Sequence, residues 1–171
     1  MKEKNIFFTG EKGVGKTTIL NKIINELNLD VGGYFTSREF VNDGVKFYLN
    51  DFITKKTVLM ADFSDRENPK VFKDSFEIFA VELIKKALQE KSIIILDEIG
   101  NMEESFEDFK NAIFETLESD KIVIGVLKKC ESNFVNSIKQ KDNILLFCVD
   151  EDNRNDVLQK SINLVKNLLH E

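Results

Sequence analysis

The chain has no tryptophan, one histidine and one proline. The histidine, His170, stands next to the C-terminal residue, so an imidazole-based catalytic centre has almost nothing to be built from. The two cysteines, Cys130 and Cys148, lack metal-ligand spacing, and nothing in their use calls for an oxidising compartment. Cys148 lies within Leu145-Leu146-Phe147-Cys148-Val149, an apolar run that reads as core. No hydrophobic run approaches the ~20 residues needed to cross a bilayer. Met1-Lys2-Glu3-Lys4 leads straight into an apolar segment without the pattern of a signal peptide. The expectation is a cytoplasmic protein with no membrane partner. Arginine is scarce: Arg38, Arg66 and Arg154 are the only ones among 24 basic residues. A net charge of −6 and a pI near 5.0 argue against a broad polyanion-binding surface, so nucleic acid is not an expected partner.

What the chain does have is Gly10-Glu11-Lys12-Gly13-Val14-Gly15-Lys16-Thr17, which reads G-x-x-x-x-G-K-[ST]. The run Asn5–Thr9 before it is short and apolar, as a buried strand would be. The apolar residues after it, Leu20, Ile23, Ile24 and Leu27, recur at helical spacing. Strand, glycine-rich turn and helix together form the phosphate-cradling context. Glycines let the backbone approach phosphate oxygens closely, and the helix start turns unpaired N–H groups and a positive dipole end toward them. Lys16 supplies a point charge for the β- and γ-phosphates, and Thr17 a hydroxyl for Mg²⁺.

The rest of the chain alternates. Tyr34–Phe40 and Val45–Leu49 flank the turn signal Asn42-Asp43-Gly44, and Lys56–Met60 follows, so this part reads as a β-meander. Ala61–Lys70 is polar, holds the proline and reads as a loop, whether lid or plain connector. Phe76, Phe79, Ala80, Leu83, Ile84, Ala87 and Leu88 trace a helix face, and Ser92–Leu96 a strand buried on both sides. A helix with Phe106, Phe109, Ile113 and Leu117 follows, then the strand Ile122–Leu127 and a short helix marked by Phe134, Val135 and Ile138. The strand Ile144–Val149 and a closing helix from Val157 to Leu169, capped by Asp152 or Asn153, complete the pattern. Strand–helix alternation predicts an α/β fold in one domain over 1–171. It has three layers, with a mostly parallel central sheet and an inserted hairpin or meander. Ligands then bind beyond the carboxyl ends of the strands.

One of those ends is Asp97-Glu98. Asp97 suits Mg²⁺ beside Thr17, and Glu98 suits the orientation or deprotonation of an attacking water. A water-activating residue favours hydrolysis, because a kinase has to exclude water, commonly under an arginine-rich lid, and the 61–70 loop holds only Arg66.

The loop Gly10–Thr17, the segment Gly33-Tyr34-Phe35-Thr36, the stretch Asp97-Glu98-Ile99-Gly100-Asn101-Met102-Glu103 and Asn153-Arg154-Asn155-Asp156 together resemble the small P-loop nucleoside-triphosphatase family. That family is known from thermophilic microbes and, in vertebrates, as cancer-related nucleoside-triphosphatase. The resemblance covers essentially the whole chain. It implies a RecA-like P-loop domain that hydrolyses ATP, GTP and other nucleoside triphosphates with Mg²⁺, with little discrimination between bases. The family usually has Lys where Asn101 stands and a hydrophobic residue where Glu104 stands, and Gly125-Val126 takes the place of a strand end that often carries a polar residue.

The expected nucleotide contacts are Gly10, Glu11, Lys12, Gly13, Val14, Gly15, Lys16, Thr17 and Thr18, with Lys12 either on a phosphate or solvated. Arg154 either stacks on the base or is a surface residue. The expected metal ligands are Thr17 and Asp97, and the catalytic residues Lys16 and Glu98. A monomer is expected. Two other readings stay open: a P-loop kinase acting on a nucleoside or other small metabolite, and a nucleotide-dependent switch displaying Tyr34 and Phe35.

Overall fold

A computed structural model describes residues 3–42 and 44–170. Asp43, at the centre of the turn expected at 42–44, lies outside the described residues. The elements in chain order begin with β1 (Asn5–Thr9), α1 (Lys16–Glu26), β2 (Val31–Val41), β3 (Gly44–Asp51), β4 (Thr57–Asp62) and β5 (Lys70–Val71). A π-helical turn, Ser75–Ala80, runs directly into α2 (Val81–Glu90). Then come β6 (Ile93–Ile99), α3 (Glu107–Glu118), β7 (Ile122–Leu127), α4 (Asn133–Lys139), β8 (Ile144–Cys148) and α5 (Arg154–Leu169).

The eight strands form one sheet in the order β5-β4-β3-β2-β6-β7-β1-β8. From β2 to β8 every pairing is parallel, and β3, β4 and β5 extend the β2 side as an antiparallel meander. The parallel strands are apolar on both faces because helices cover both faces. On β1, Phe7 packs into one core with residues of α2, α3 and α4, while Ile6 and Phe8 pack into the other with α1 and α5. On β6, Ile94 and Leu96 face the first core, Ile93 and Ile95 the second. The expected three-layer α/β architecture, with its meander, is what the chain forms. Among the described residues no helix is long and apolar enough to cross a membrane.

Gly125 has a packing reason. It sits in register with Phe7 on one side and Leu96 on the other, and a Cβ there would stand 2.5 Å from the Phe7 ring and 2.8 Å from the Leu96 carbonyl oxygen. Full burial of the Phe7 ring in the middle of the sheet leaves no room for a side chain beside it.

Several local expectations change. β2 starts at Val31 and runs through Gly32 and Gly33, because α2 and β6 press against it: a Cβ on Gly32 would lie 2.8 Å from that of Ala87. β6 extends past Leu96 to Ile99, so the acidic pair lies in the last turn of pleat rather than beyond it. The two-residue β5 carries too little pattern to be read beforehand. Asn153 stands at the helix boundary of α5 but gives no side-chain cap. Its amide instead accepts from the Asp150 N–H at 3.0 Å and donates to the Cys148 carbonyl at 2.9 Å, closing a turn between β8 and α5. Cys148 is exposed rather than core, since β8 is an edge strand paired only with β1. On that strand Phe147 packs in, stacking on Phe8 with ring centroids 5.9 Å apart.

Candidate functional site at the carboxyl ends of β1 and β6

Both chemical motifs lie at the same edge of the sheet. The loop from Gly10 to Gly15 leaves β1 and enters α1, with positive φ at Gly13 (90°) and Gly15 (105°). Gly10 packs against the neighbouring connection so closely that a Cβ would meet the Val149 carbonyl oxygen at 2.2 Å. Gly15 occupies the cap position of α1, which has no side-chain cap and no acid in its first turn. The first N–H groups of that helix therefore remain available to an anion from outside the chain.

Lys16 is nearly buried and folds back over the loop, its Nζ donating to the Gly10 carbonyl at 2.9 Å and the Glu11 carbonyl at 2.7 Å. These carbonyls hold the ammonium over the hollow of the loop. Thr17 Oγ1 donates to Asp97 Oδ1 at 3.2 Å, and Asp97 Oδ2 is buried with no hydrogen-bond partner among the described residues. Burial, and after it the neighbouring Glu98 charge, push the Asp97 carboxyl up to about 7, against the Thr17 hydrogen bond and the Lys16 charge. Glu98 is half-buried beside it. The Asp97–Glu98 peptide is cis.

Two ties fix these strand ends. The Lys128 N–H donates to the Ile99 carbonyl at 2.8 Å, joining the ends of β7 and β6. The Lys129 ammonium pairs with the Glu11 carboxylate, joining the end of β7 to the loop.

Arg154 opens α5 beside α1, and lines with Gly15, Thr18, Ile19, Lys22 and Leu158 a pocket of about 290 Å³. The pocket is continuous with the start of α1 and lies on the α1–α5 side of the sheet. Glu11, Lys12, Gly13, Val14 and Thr18 all belong to this loop and helix start. Lys12 is exposed.

Arg38 is exposed, with its guanidinium over the Phe40 ring at 5.2 Å from the centroid, and Glu39 accepts from the Tyr48 hydroxyl at 2.7 Å. These contacts lie within the meander. Tyr34 is buried and Phe35 packs on Phe52 with centroids 4.8 Å apart, so neither is the exposed aromatic that a switch surface would display.

Three groups near Glu98 escaped assignment from sequence. Glu103 is buried, and its Oε2 accepts from the Gly100 N–H at 2.9 Å, pinning the turn that follows β6. Burial pushes its carboxyl up to about 7, with the Glu98 charge adding to the shift and backbone hydrogen bonds opposing it. The Tyr34 hydroxyl is buried without a partner among the described residues, and burial raises its pKa well above the ordinary value. Glu103, Asp97 and Glu98 are the charges acting on it. Lys128 follows β7 and shares a second pocket, of about 240 Å³, with Glu98 and Glu103. The stretch 97–103 signalled Glu103 and the segment 33–36 singled out Tyr34, though as an aromatic on display rather than a buried hydroxyl, and nothing local signalled Lys128. Glu104, where the resembling family usually has a hydrophobic residue, accepts from the Asn133 N–H at 2.9 Å at the start of α4.

The NTPase family profile matches residues 5–162. The chain is 33% identical over 169 residues to nucleoside-triphosphatase THEP1 of Thermotoga maritima, covering 94% of this chain and 95% of that one. It is likewise 33% identical over 170 residues to nucleoside-triphosphatase THEP1 of Methanocaldococcus jannaschii, covering 94% and 96%. The crystal structure of THEP1 from Aquifex aeolicus superposes with a TM-score of 0.77 at 25% identity, over 94% of this chain and 98% of that one.

Proposed function

Since the chain belongs to the NTPase family, we propose that it hydrolyses nucleoside triphosphates to the diphosphate and phosphate at the carboxyl ends of β1 and β6. The observation that carries this is the Thr17–Asp97 contact with its orphaned Oδ2. A hydroxyl and a carboxylate oxygen side by side are hard ligands of the kind Mg²⁺ takes, the remaining positions falling to phosphate and water. Among the described residues there is no group of three His, Cys, Asp or Glu that could hold a metal, which suits an ion shared with the substrate rather than caged by the protein.

Mg²⁺, when bound, supplies positive charge to the phosphate oxygens as the terminal bond breaks. The chain does the rest. The backbone N–H groups from Gly10 to Thr18 enclose the phosphates, and Lys16 turns its ammonium from the Gly10 and Glu11 carbonyls to the β- and γ-oxygens. Thr17 and Asp97 hold the ion. Glu98 orients the attacking water and receives its proton. The base lies in the pocket beneath Arg154, where the guanidinium stacks on it. Several bases, those of ATP and GTP among them, are accepted in this reading. A net charge of −6 supports action on free nucleotide rather than nucleic acid, and a cytoplasmic monomer belongs to the same reading.

Phosphate release from a panel of nucleoside triphosphates, with and without Mg²⁺, tests this reading. The expected result is release from several of them that needs Mg²⁺ and is lost in Lys16→Ala together with triphosphate binding. Undiminished binding by Lys16→Ala would put the site elsewhere.

A further inference from the structure

The pocket of about 240 Å³ beside Glu98 is lined by none of the residues assigned above to the phosphates, the metal or the base. Its walls come from the meander on one side and from the turn after β6 on the other. From the meander, Phe47 on β3 and Phe63 after β4 both line it, their rings 5.8 Å apart and at 71° to one another. One face and one edge thus meet at a corner, the arrangement in which a third flat ring packs well. Met60 and Met102 complete the apolar wall with side chains that adapt to an irregular ring outline. Thr36 and Asn101 offer a hydroxyl and an amide, and Lys128 a cation. Glu98, next in the chain to the Asp97 of the Thr17–Asp97 pair, forms part of this wall.

A pocket for hydrolysis alone has to admit only water. This one has nearly the volume of the pocket beneath Arg154, and its apolar wall, with two aromatic rings in it, is joined by a few polar groups. We propose that it is the site of a second substrate, a small heteroaromatic alcohol of nucleoside type, whose hydroxyl replaces water as the acceptor of the γ-phosphoryl group. The proposal rests on the phosphate site assigned above.

In the transfer step the acceptor oxygen forms a bond to the γ-phosphorus. The bond from that phosphorus to the β–γ bridging oxygen breaks, and its electron pair leaves with the nucleoside diphosphate. The hydroxyl proton goes to Glu98. The products are the diphosphate and a phosphate monoester of the acceptor, so no further reactant is needed. With the pocket empty, water takes the hydroxyl's place and the outcome is hydrolysis.

The test uses γ-labelled ATP with Mg²⁺ and the common ribo- and deoxyribonucleosides as probes, followed by separation of labelled inorganic phosphate from labelled monoester. The expected result is a labelled monoester with at least one nucleoside. Phe63→Ala and Met102→Trp, the first opening the apolar corner and the second filling it, reduce monoester formation ten-fold or more. Both leave phosphate release without nucleoside within about two-fold of the unaltered protein. Label found only in inorganic phosphate with every nucleoside, while Mg²⁺-dependent release persists, overturns the second-substrate site and leaves the hydrolytic reading standing. Monoester formation that neither variant reduces also overturns it, by placing the acceptor elsewhere. Absence of any Mg²⁺-dependent release, with or without nucleoside, removes the phosphate site and the acceptor site with it.

Discussion

Thr17 and Asp97 stand 80 positions apart in the chain, yet the threonine hydroxyl donates to the aspartate carboxylate at 3.2 Å. They are delivered by β1 and β6, which are not neighbours: β7 runs between them. The contact therefore reports on the whole parallel sheet, since a change in strand order would separate the two groups.

Removing either group should separate metal dependence from folding. Thr17→Ala and Asp97→Asn are expected to weaken Mg-nucleotide binding toward the affinity measured in EDTA. Asp97→Asn also removes a buried charge that the metal-free fold holds without a full set of partners. Its melting temperature at pH 8 without Mg²⁺ should rise by about 2–4 °C, the shift that a gain of about 1 kcal/mol produces in a chain of this size. A fall instead would show that Asp97 is structural.

Glu98→Gln keeps the shape of the side chain and removes its capacity to accept a proton. Turnover should drop by roughly 10²–10⁴ while Mg-nucleotide affinity, read by calorimetry, stays within a few-fold. Undiminished phosphate release would take Glu98 out of the reaction.

The two buried carboxyls predict a pH profile of stability. Asp97 and Glu103 have ordinary values of 3.8 and 4.5 and lie near 7 in the folded chain, chiefly through burial. Between those limits the folded chain binds more protons than the unfolded one, so stability of the metal-free protein falls as pH rises from about 4 to about 7 and then levels off. Carboxylates whose values are lowered by folding, such as Asp51 beside Thr54, act in the opposite sense only in more acidic solution. Thermal melts from pH 5 to 8 in EDTA should show the decline, and Glu103→Gln should make it shallower. A melting temperature that climbs from pH 5 to 7 would contradict the assignment.

Gly125 is expected to tolerate no enlargement. In Gly125→Ala the new methyl group meets the Phe7 ring and the Leu96 carbonyl, and overpacking of this kind costs about 1–3 kcal/mol. A differential scan should show a lower melting temperature, and an unchanged one would mean that Phe7 moves aside freely.

The parts of this molecule that announce themselves in sequence are those whose physics is local. The roles proposed for Gly13, Gly15, Lys16 and Thr17 rest on backbone and charge within one turn, and the apolar run 93–96 needs only its own composition to be read as buried. Asp97 and Glu98 were legible because they end that run. Cys148 was misread because an apolar segment does not reveal that its strand lies at the edge of the sheet. Asn153 was misread because its amide had a competing partner in the preceding turn. The second pocket was invisible for a related reason: Phe47, Phe63, Met102 and Lys128 come from four separate parts of the chain, and only strand order assembles them.

β2 pairs with β6 only from Val31 to Phe35, and with β3 from Tyr34 to Val41. Its outer half is thus a cantilever, rooted in the parallel strands and carrying the antiparallel ones beyond them. The overhang is nevertheless tied back to its root, since Leu49 and Met60 are buried in the core of α2 and α3, and the Phe52 N–H donates to the Gly33 carbonyl at 3.4 Å. A change made far out on the meander, at Arg38 or Phe40, is therefore borne by β2 and β3 alone, whereas one at Leu49 or Met60 reaches the packing beneath β6.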